Sequence, residues 1–302
     1  MKAVDLFAGA GGTTTGAKLA GVNVLCAVNH WPVAVATHAA AHPEAQHMCE
    51  DAAGLDPTTL PDHDLLLASP SCTGHTRARG KEQPHHDAAR ATAWCVVRVL
   101  EAKRPPLVIV ENVPEMLDWV LYRAWRLALS SLGYRVSEQV LDAADCGVPQ
   151  NRERLFVVGS RVTKKPILVP APKRRHVAAR EVLDLDGGEW GPVSRWCAKT
   201  RARIAAGQQA HGPDVLVPYY GNTKGCRSLD RPIGTLTTKA RYALVRGDRG
   251  RMLTVPEMLR LSSFPEGYPL RGTVADQTKL IGNAVPPALA QYVIESVMRG
   301  AR

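Results

Sequence analysis

Short apolar runs alternate with helix-length stretches through the first 160 residues, and that alternation restricts the chain to an α/β fold. Residues 2–7, 22–28, 64–67 and 107–110 are too short and too apolar for surface helices, so they read as buried strands. Helices are expected between them, at about 13–20, 32–41 and 88–103. A helix at about 119–132 then leads into strands at 134–142 and 155–159. Folds of this kind place their ligands beyond the carboxyl edge of the sheet, so the residues just after each strand carry the chemistry.

The first strand ends in Phe7-Ala8-Gly9-Ala10-Gly11-Gly12 and turns into a helix. Glycines there let a ligand approach the backbone, and a helix N-terminus offers free N–H groups to a carboxylate or phosphate. Thr14 stands where a dinucleotide fingerprint needs its third glycine, so that fold is a poor match. Asn29-His30-Trp31 follows the second strand, with no acid for a ribose; Trp31 either stacks on a purine or covers the sheet edge. Asp51 and Ala52 follow a third short segment.

The fourth loop, Ser69-Pro70-Ser71-Cys72-Thr73-Gly74, frames a cysteine with proline and glycine. Such a thiol is either a small buried hydrophobe or a nucleophile, and arginines and lysine nearby are expected to lower its pKa. Residues 76–90 carry Arg77, Arg79, Lys81 and Arg90, which read either as a solvated loop or as a basic lid contacting phosphates. Glu111 and Asn112 end the next strand; a carboxyl there either caps the adjoining helical segment or donates a proton to a ring nitrogen. Arg152 and Arg154 alternate into a later strand, so both point to one face, suited to a carboxylate, a base carbonyl or a phosphate.

A net charge of +10, from 38 Lys and Arg against 28 Asp and Glu, favours a polyanionic partner. Seven cysteines with no Cys-x-x-Cys pair imply reduced thiols, no metal centre and a cytoplasmic protein. No apolar run reaches membrane-spanning length, so no membrane partner is expected. High Ala and Arg usage points to a GC-rich bacterial or phage genome.

Six motifs stand in an order that spans nearly the whole chain: residues 5–12, Pro70-Ser71-Cys72, Glu111-Asn112-Val113, residues 150–154, 231–238 and 282–287. Together they resemble the DNA cytosine-5 methyltransferases. The resemblance implies a doubly wound, mostly parallel sheet binding S-adenosylmethionine, without metal, in residues 1–160. A small target-recognition domain is expected at 161–249, with a return of 250–302 to the first domain through two helices, at 254–264 and 280–298, around the motif at residues 281–287. A basic helix near 193–206 falls in the small domain. By the same resemblance Phe7, Ala8, Gly9, Gly11, Gly12, Asn29, His30, Trp31, Asp51, Ala52, Pro70, Asn283 and Ala284 would bind the cofactor. Phe7 and Trp31 would flank its adenine and Asp51 would meet the adenine amino group.

Cytosine C5 is a weak nucleophile, and a Cys72 thiolate added at C6 would turn it into an enamine able to take a methyl group. Glu111 would stabilise that adduct at N3, Arg154 would hold O2, and Arg152 and Asn112 would orient the loops. Arg77, Arg79, Lys81 and Thr237 would contact DNA, expected as a duplex with the target base rotated out of the stack. A monomer is expected. Two departures stand out: Ser71 and Thr73 flank Cys72 where the family has proline and glutamine, and Asn29 and His30 replace its ribose-binding acid. Rivals are an RNA methyltransferase of the same fold, a donor that is a variant of S-adenosylmethionine, and a catalytically silent DNA-binding module.

Overall fold

The computed structural model describes residues 1–75, 84–219 and 223–302. In chain order the first elements are β1 (Lys2–Leu6), α1 (Gly12–Leu19), β2 (Asn23–Val28), α2 (Pro32–Ala41), β3 (Gln46–Met48) and β4 (Leu65–Ala68). There follow α3 (Pro84–Lys103), β5 (Leu107–Asn112), α4 (Tyr122–Ser131), β6 (Arg135–Asp142) and β7 (Glu153–Ser160). The seven strands form one sheet in the order β3-β2-β1-β4-β5-β7-β6. Pairings from β3 to β5 are parallel, and β7 runs antiparallel to both of its neighbours.

Strand order reverses between β1 and β4, so the chain leaves the sheet on opposite sides of that point and opens a crevice above it. The glycine loop after β1 and the cysteine loop after β4 face each other there. Leu65, Leu66 and Leu67 are wholly buried, as a central strand covered by helices on both faces requires. Leu65 and Leu67 share a core with Leu289, Val293 and Ile294 of the last helix on one face, and Leu66 shares one with Val96, Leu100 and Trp125 on the other.

A second sheet is built from β8 (Gly191–Pro192), β9 (Asp214–Pro218), β10 (Arg227–Ser228), β11 (Tyr242–Arg246) and β12 (Arg249–Met252), with α5 (Ala198–His211) against it. All its pairings are antiparallel, in the order β10-β9-β11-β12-β8. The expected break at 249/250 falls inside β12, because Gly247, at φ +58°, turns a tight hairpin between β11 and β12. The helix expected near 193–206 starts later, at Ala198, since residues 193–195 form a 3₁₀ turn.

The chain returns to the first sheet through α6 (Val255–Leu261), α7 (Val274–Asn283) and α8 (Pro287–Gly300). The apolar pattern starts this last helical stretch at residue 280 and leaves out the six residues before it. Their signal is a capping box: Thr273 accepts from the Asp276 N–H, and Asp276 Oδ2 accepts from the Thr273 N–H. Likewise α4 begins at Tyr122 rather than near 119, after a 3₁₀ turn over Pro114–Asp118.

Candidate active site

A cavity of about 410 Å³ occupies the crevice. Phe7, Ala8, Gly9, Gly12, Asn29, His30 and Trp31 line it from one side of the reversal point, and Pro70, Cys72, Glu111, Arg152 and Arg154 from the other. Asn283 and Ala284, at the end of α7, close it. The two ends of the chain thus meet around one space.

The glycine loop is shaped for close approach. Phe7 holds a left-handed backbone at φ +62°, a strained conformation for an aromatic residue. Gly9, at φ +54°, would direct a Cβ away from all protein atoms but Phe7 O, 3.8 Å distant. The N-terminus of α1 behind it has no side-chain cap, leaving its N–H groups for a ligand. Trp31 is fixed at the opposite wall: its N–H donates to Asn29 Oδ1 at 2.9 Å, and Lys279 Nζ lies 4.4 Å from the ring centroid. Ser69 and Val285, from the cysteine loop and the 282–287 motif, also line the cavity, as do Lys279 and Thr13, which carry no mark in the sequence that would have placed them there.

The cysteine loop is pinned from two elements. Asn112, at the end of β5, donates from Nδ2 to Pro70 O at 3.0 Å, while its Oδ1 accepts the Val113 N–H at 2.9 Å. From α3, Thr92 Oγ1 accepts the Ser71 N–H at 3.0 Å and Arg90 donates to Gly74 O at 2.8 Å. Arg90 therefore braces the loop from behind. Asn112 sits outside the cavity lining and acts on the loop backbone.

Glu111 and Arg154 form an ion pair, Nε to Oε1 at 2.9 Å, with their side chains only 11% and 12% exposed. Their strands explain the meeting: Glu111 on β5 pairs with Phe156 on antiparallel β7, which brings Arg154 level with the strand end. The thiol of Cys72 departs from expectation. Burial pushes it up from the ordinary range; Arg154 draws it down, Glu111 adds to the rise and Arg152 opposes it, but burial outweighs the cations. Cys72 therefore rests as the protonated thiol.

Arg152 is buried, and its fork joins distant segments: it donates to Leu236 O at 3.0 Å and to Gly282 O at 2.7 Å. Gln150 beside it donates to Ser262 Oγ at 3.1 Å and accepts the Leu236 N–H at 3.0 Å. These two side chains tie the segment around Leu236 to α6, α7 and the start of β7. Thr237 belongs to that segment, outside the cavity, and donates to Lys239 O at 3.1 Å.

Gly11, Asp51 and Ala52 do not line the cavity either. Gly11 lies behind the loop, Ala52 is buried, and Asp51 is exposed with Oδ1 accepting the Ala53 N–H at 3.0 Å. Asp51 lies beyond the short edge strand β3, which ends at Met48. Arg77, Arg79 and Lys81 lie outside the described residues. Among the described residues no cluster of His, Cys, Asp or Glu is arranged to hold a metal ion, and no helix is long and apolar enough to cross a membrane.

The family model for C-5 cytosine-specific DNA methylases matches residues 1–299. The type II methyltransferase M.NlaX of Neisseria lactamica is 28% identical over 310 residues, covering 98% of this chain and 96% of its own. M.NgoBI of Neisseria gonorrhoeae, also a type II methyltransferase, is 29% identical over 287 residues, covering 94% and 89%. Among solved structures, a mutant of Spodoptera frugiperda DNMT2 superposes with a TM-score of 0.72 at 17% identity, covering 98% of this chain and 99% of that one. Dnmt2 of S. pombe gives 0.70 at 18% identity, covering 99% and 98%.

Proposed function

Because the chain belongs to the C-5 cytosine-specific DNA methylase family, we propose that its crevice methylates cytosine in DNA at C5 with Cys72 as nucleophile and S-adenosylmethionine as donor. The observation that carries the reading is the meeting of Cys72, Glu111 and Arg154 in one cavity with the glycine loop of β1. The residues present suit the donor. Gly9 leaves room where a Cβ would project, the N-terminus of α1 can accept a carboxylate, and Phe7 and Trp31 offer rings to an adenine. When bound, S-adenosylmethionine would supply an electrophilic methyl group.

The residues of this chain would then act in sequence. The Cys72 proton passes to the Glu111 carboxylate as the sulfur adds to C6 of the flipped cytosine, and the C5–C6 electrons shift so that C5 becomes nucleophilic once N3 is protonated. Glu111, protonated by the Cys72 thiol, donates that proton to N3 and accepts from the exocyclic amine, which neutralises the charge that addition pushes into the ring. Arg154 holds Glu111 in place and turns its remaining N–H groups toward O2. After alkylation a water molecule takes the C5 proton, the freed pair re-forms the C5–C6 double bond, the Cys72 sulfur leaves with its bonding electrons, and the N3 proton returns through Glu111 to the sulfur. Asn112, Thr92 and Arg90 keep the cysteine loop from collapsing during these steps.

The second sheet and its flanking segments, residues 161–252, are the proposed target-recognition domain, reading duplex DNA laid across the crevice. Arg77, Arg79 and Lys81 would hold the distorted strand by its phosphates, and Thr237 would contact the backbone. A monomer suffices for this chemistry. The test is nucleoside mass spectrometry of duplex DNA and, in parallel, of RNA, each incubated with the protein and S-adenosylmethionine. The reading expects 5-methylcytosine; its absence from DNA alongside methylated cytosine in RNA would overturn the choice of substrate.

A further inference from the structure

Behind the glycine loop lies a chain of polar side chains that the methyl-transfer chemistry leaves without a task. Asp5 on β1 is fully buried, and its Oδ2 accepts from Thr14 Oγ1 at 2.7 Å. Thr14 Oγ1 lies 2.9 Å from His38 Nε2, and His38 Nδ1 lies 2.8 Å from His47 Nε2. Thr14 and His38 are buried; His47, on β3, is partly exposed.

A carboxylate only accepts, so ionised Asp5 sets the direction of every bond. Thr14 donates to Asp5, His38 donates through Nε2 to Thr14, and His47 donates through Nε2 to His38 Nδ1. Asp5 Oδ1 is buried without a hydrogen-bond partner among the described residues, so one hydroxyl holds the charge. A second branch supports the same loop. His42 Nε2 lies 3.1 Å from Thr15 Oγ1 and 3.2 Å from the Tyr268 hydroxyl, which donate to Gly11 O at 2.7 Å and Ala10 O at 2.6 Å.

We propose that Asp5 and His38 are positioning residues for the cofactor: the chain from His47 to Asp5 holds the glycine loop in its binding geometry while Asp5 is ionised and relaxes it when a proton enters at His47. The proposal rests on reading the cavity as the S-adenosylmethionine site. One proton from solvent joins His47 Nδ1 and three shift one place inward: from His47 Nε2 to His38 Nδ1, from His38 Nε2 to Thr14, and from Thr14 to Asp5. The carboxylate becomes a carboxyl group, every bond reverses, and the loop loses the anion behind it. Thr14 and Thr15 sit in the first turn of α1, next to Thr13 in the cavity wall, so the reversal reaches the ligand through one helical turn.

Burial raises the Asp5 carboxyl to about 7, opposed by the Thr14 hydrogen bond, which puts the reversal near neutrality. The groups that face it stay in one state there. Burial first, and the neighbouring His42 and His47 second, keep His38 down at about 3; burial and then Lys18 hold His42 at about 4. Burial also lowers His47. Burial pushes Cys26 on β2 up to about 11, with the charges of Asp5 and Glu50 adding to it, and pushes Tyr268 up to about 12. Lys18 and Glu44 pair at the surface at 2.6 Å.

The test is calorimetric binding of S-adenosylhomocysteine to the full chain between about pH 5.5 and about pH 8.5. Wild type should lose about 10-fold in affinity from about pH 8 to about pH 6, whereas Asp5→Asn should be weak and flat. Thr14→Val should also flatten the profile and Thr14→Ser should restore it, which keeps the test open if the Asp5 variant does not fold. In steady state the loss should fall on KM for S-adenosylmethionine rather than on kcat. A flat wild-type profile, or a wild-type slope retained in both Asp5→Asn and Thr14→Val, would overturn the proposal. Wild type that binds at no pH would overturn the reading of the cavity itself.

Discussion

Replacing Arg154 with methionine removes one half of a pair whose side chains are only 11% and 12% exposed, and leaves Glu111 charged beside the thiol. At a separation of 2.9 Å the gross attraction is about 6 kcal/mol for an effective dielectric near 20. Desolvation has already consumed much of that, and breaking a buried pair from one side costs about 3–5 kcal/mol. If about 3 kcal/mol of it is felt in the transition state, single-turnover methyl transfer slows about 10²-fold. The change also removes the foremost cationic influence on Cys72, so the thiol rises further and the alkaline limb of the rate profile moves to higher pH. Glu111→Gln and the double variant complete a cycle; rapid-quench transfer to a duplex gives the rates. The two losses should be strongly non-additive, by about 1–3 kcal/mol. Additive losses, or an Arg154→Met enzyme within about 3-fold of wild type, would refute a functional pair, since about 0.6 kcal/mol is all such a change represents.

Three further outcomes are expected from the geometry. Asn112→Ala removes the bonds to Pro70 O and the Val113 N–H and should lower kcat about 10-fold while costing about 1–3 kcal/mol of stability, measured by steady-state transfer and urea unfolding. Gly11→Ala puts a Cβ 2.7 Å from the Tyr268 hydroxyl on a backbone at φ +85°, and should destabilise the fold by about 1–2 kcal/mol and weaken cofactor binding, read by urea unfolding and calorimetry. Asp5 has a folded-state pKa of about 7 against an ordinary 3.8, so its contribution is full below about pH 4 and is lost as pH rises through about 7. Stability measured relative to Asp5→Asn should therefore fall by a few kcal/mol across that window; an unchanged difference would contradict the burial of the charge.

The sheet and the site were legible to different depths. Strand-length apolar runs ending in Gly9, Cys72 and Glu111 announced both the parallel sheet and its active edge, because a covered central strand has no other way to be written. The doubly wound, mostly parallel arrangement came with the resemblance, whereas the order β3-β2-β1-β4-β5-β7-β6 is seen only in the structure. What the sequence hid were contacts across long separations. Thr92 on α3 holds the cysteine loop from one side and carries no local mark of that task, whereas Asn112, which the resemblance assigns to orienting the loop, holds it from the other. The Cys72 thiol was misjudged for a related reason: neighbouring cations are visible in sequence, whereas the burial that outweighs them is a property of the assembled crevice. Asp51, assigned to the adenine amino group through the resemblance alone, stands exposed on the loop after β3. The capping box at Thr273 was legible and overlooked.

The central claim is that the Cys72 sulfur becomes bonded to the cytosine ring. A duplex carrying 5-fluorocytosine cannot lose its C5 substituent, so it should trap that bond in the presence of S-adenosylmethionine. Intact mass and peptide mapping should then show wild-type protein linked to DNA through Cys72, and Cys72→Ser should show no link and form no 5-methylcytosine on ordinary DNA. Methylation by Cys72→Ser at the wild-type rate, or a wild-type enzyme that methylates DNA yet never forms the trapped species, would contradict the account.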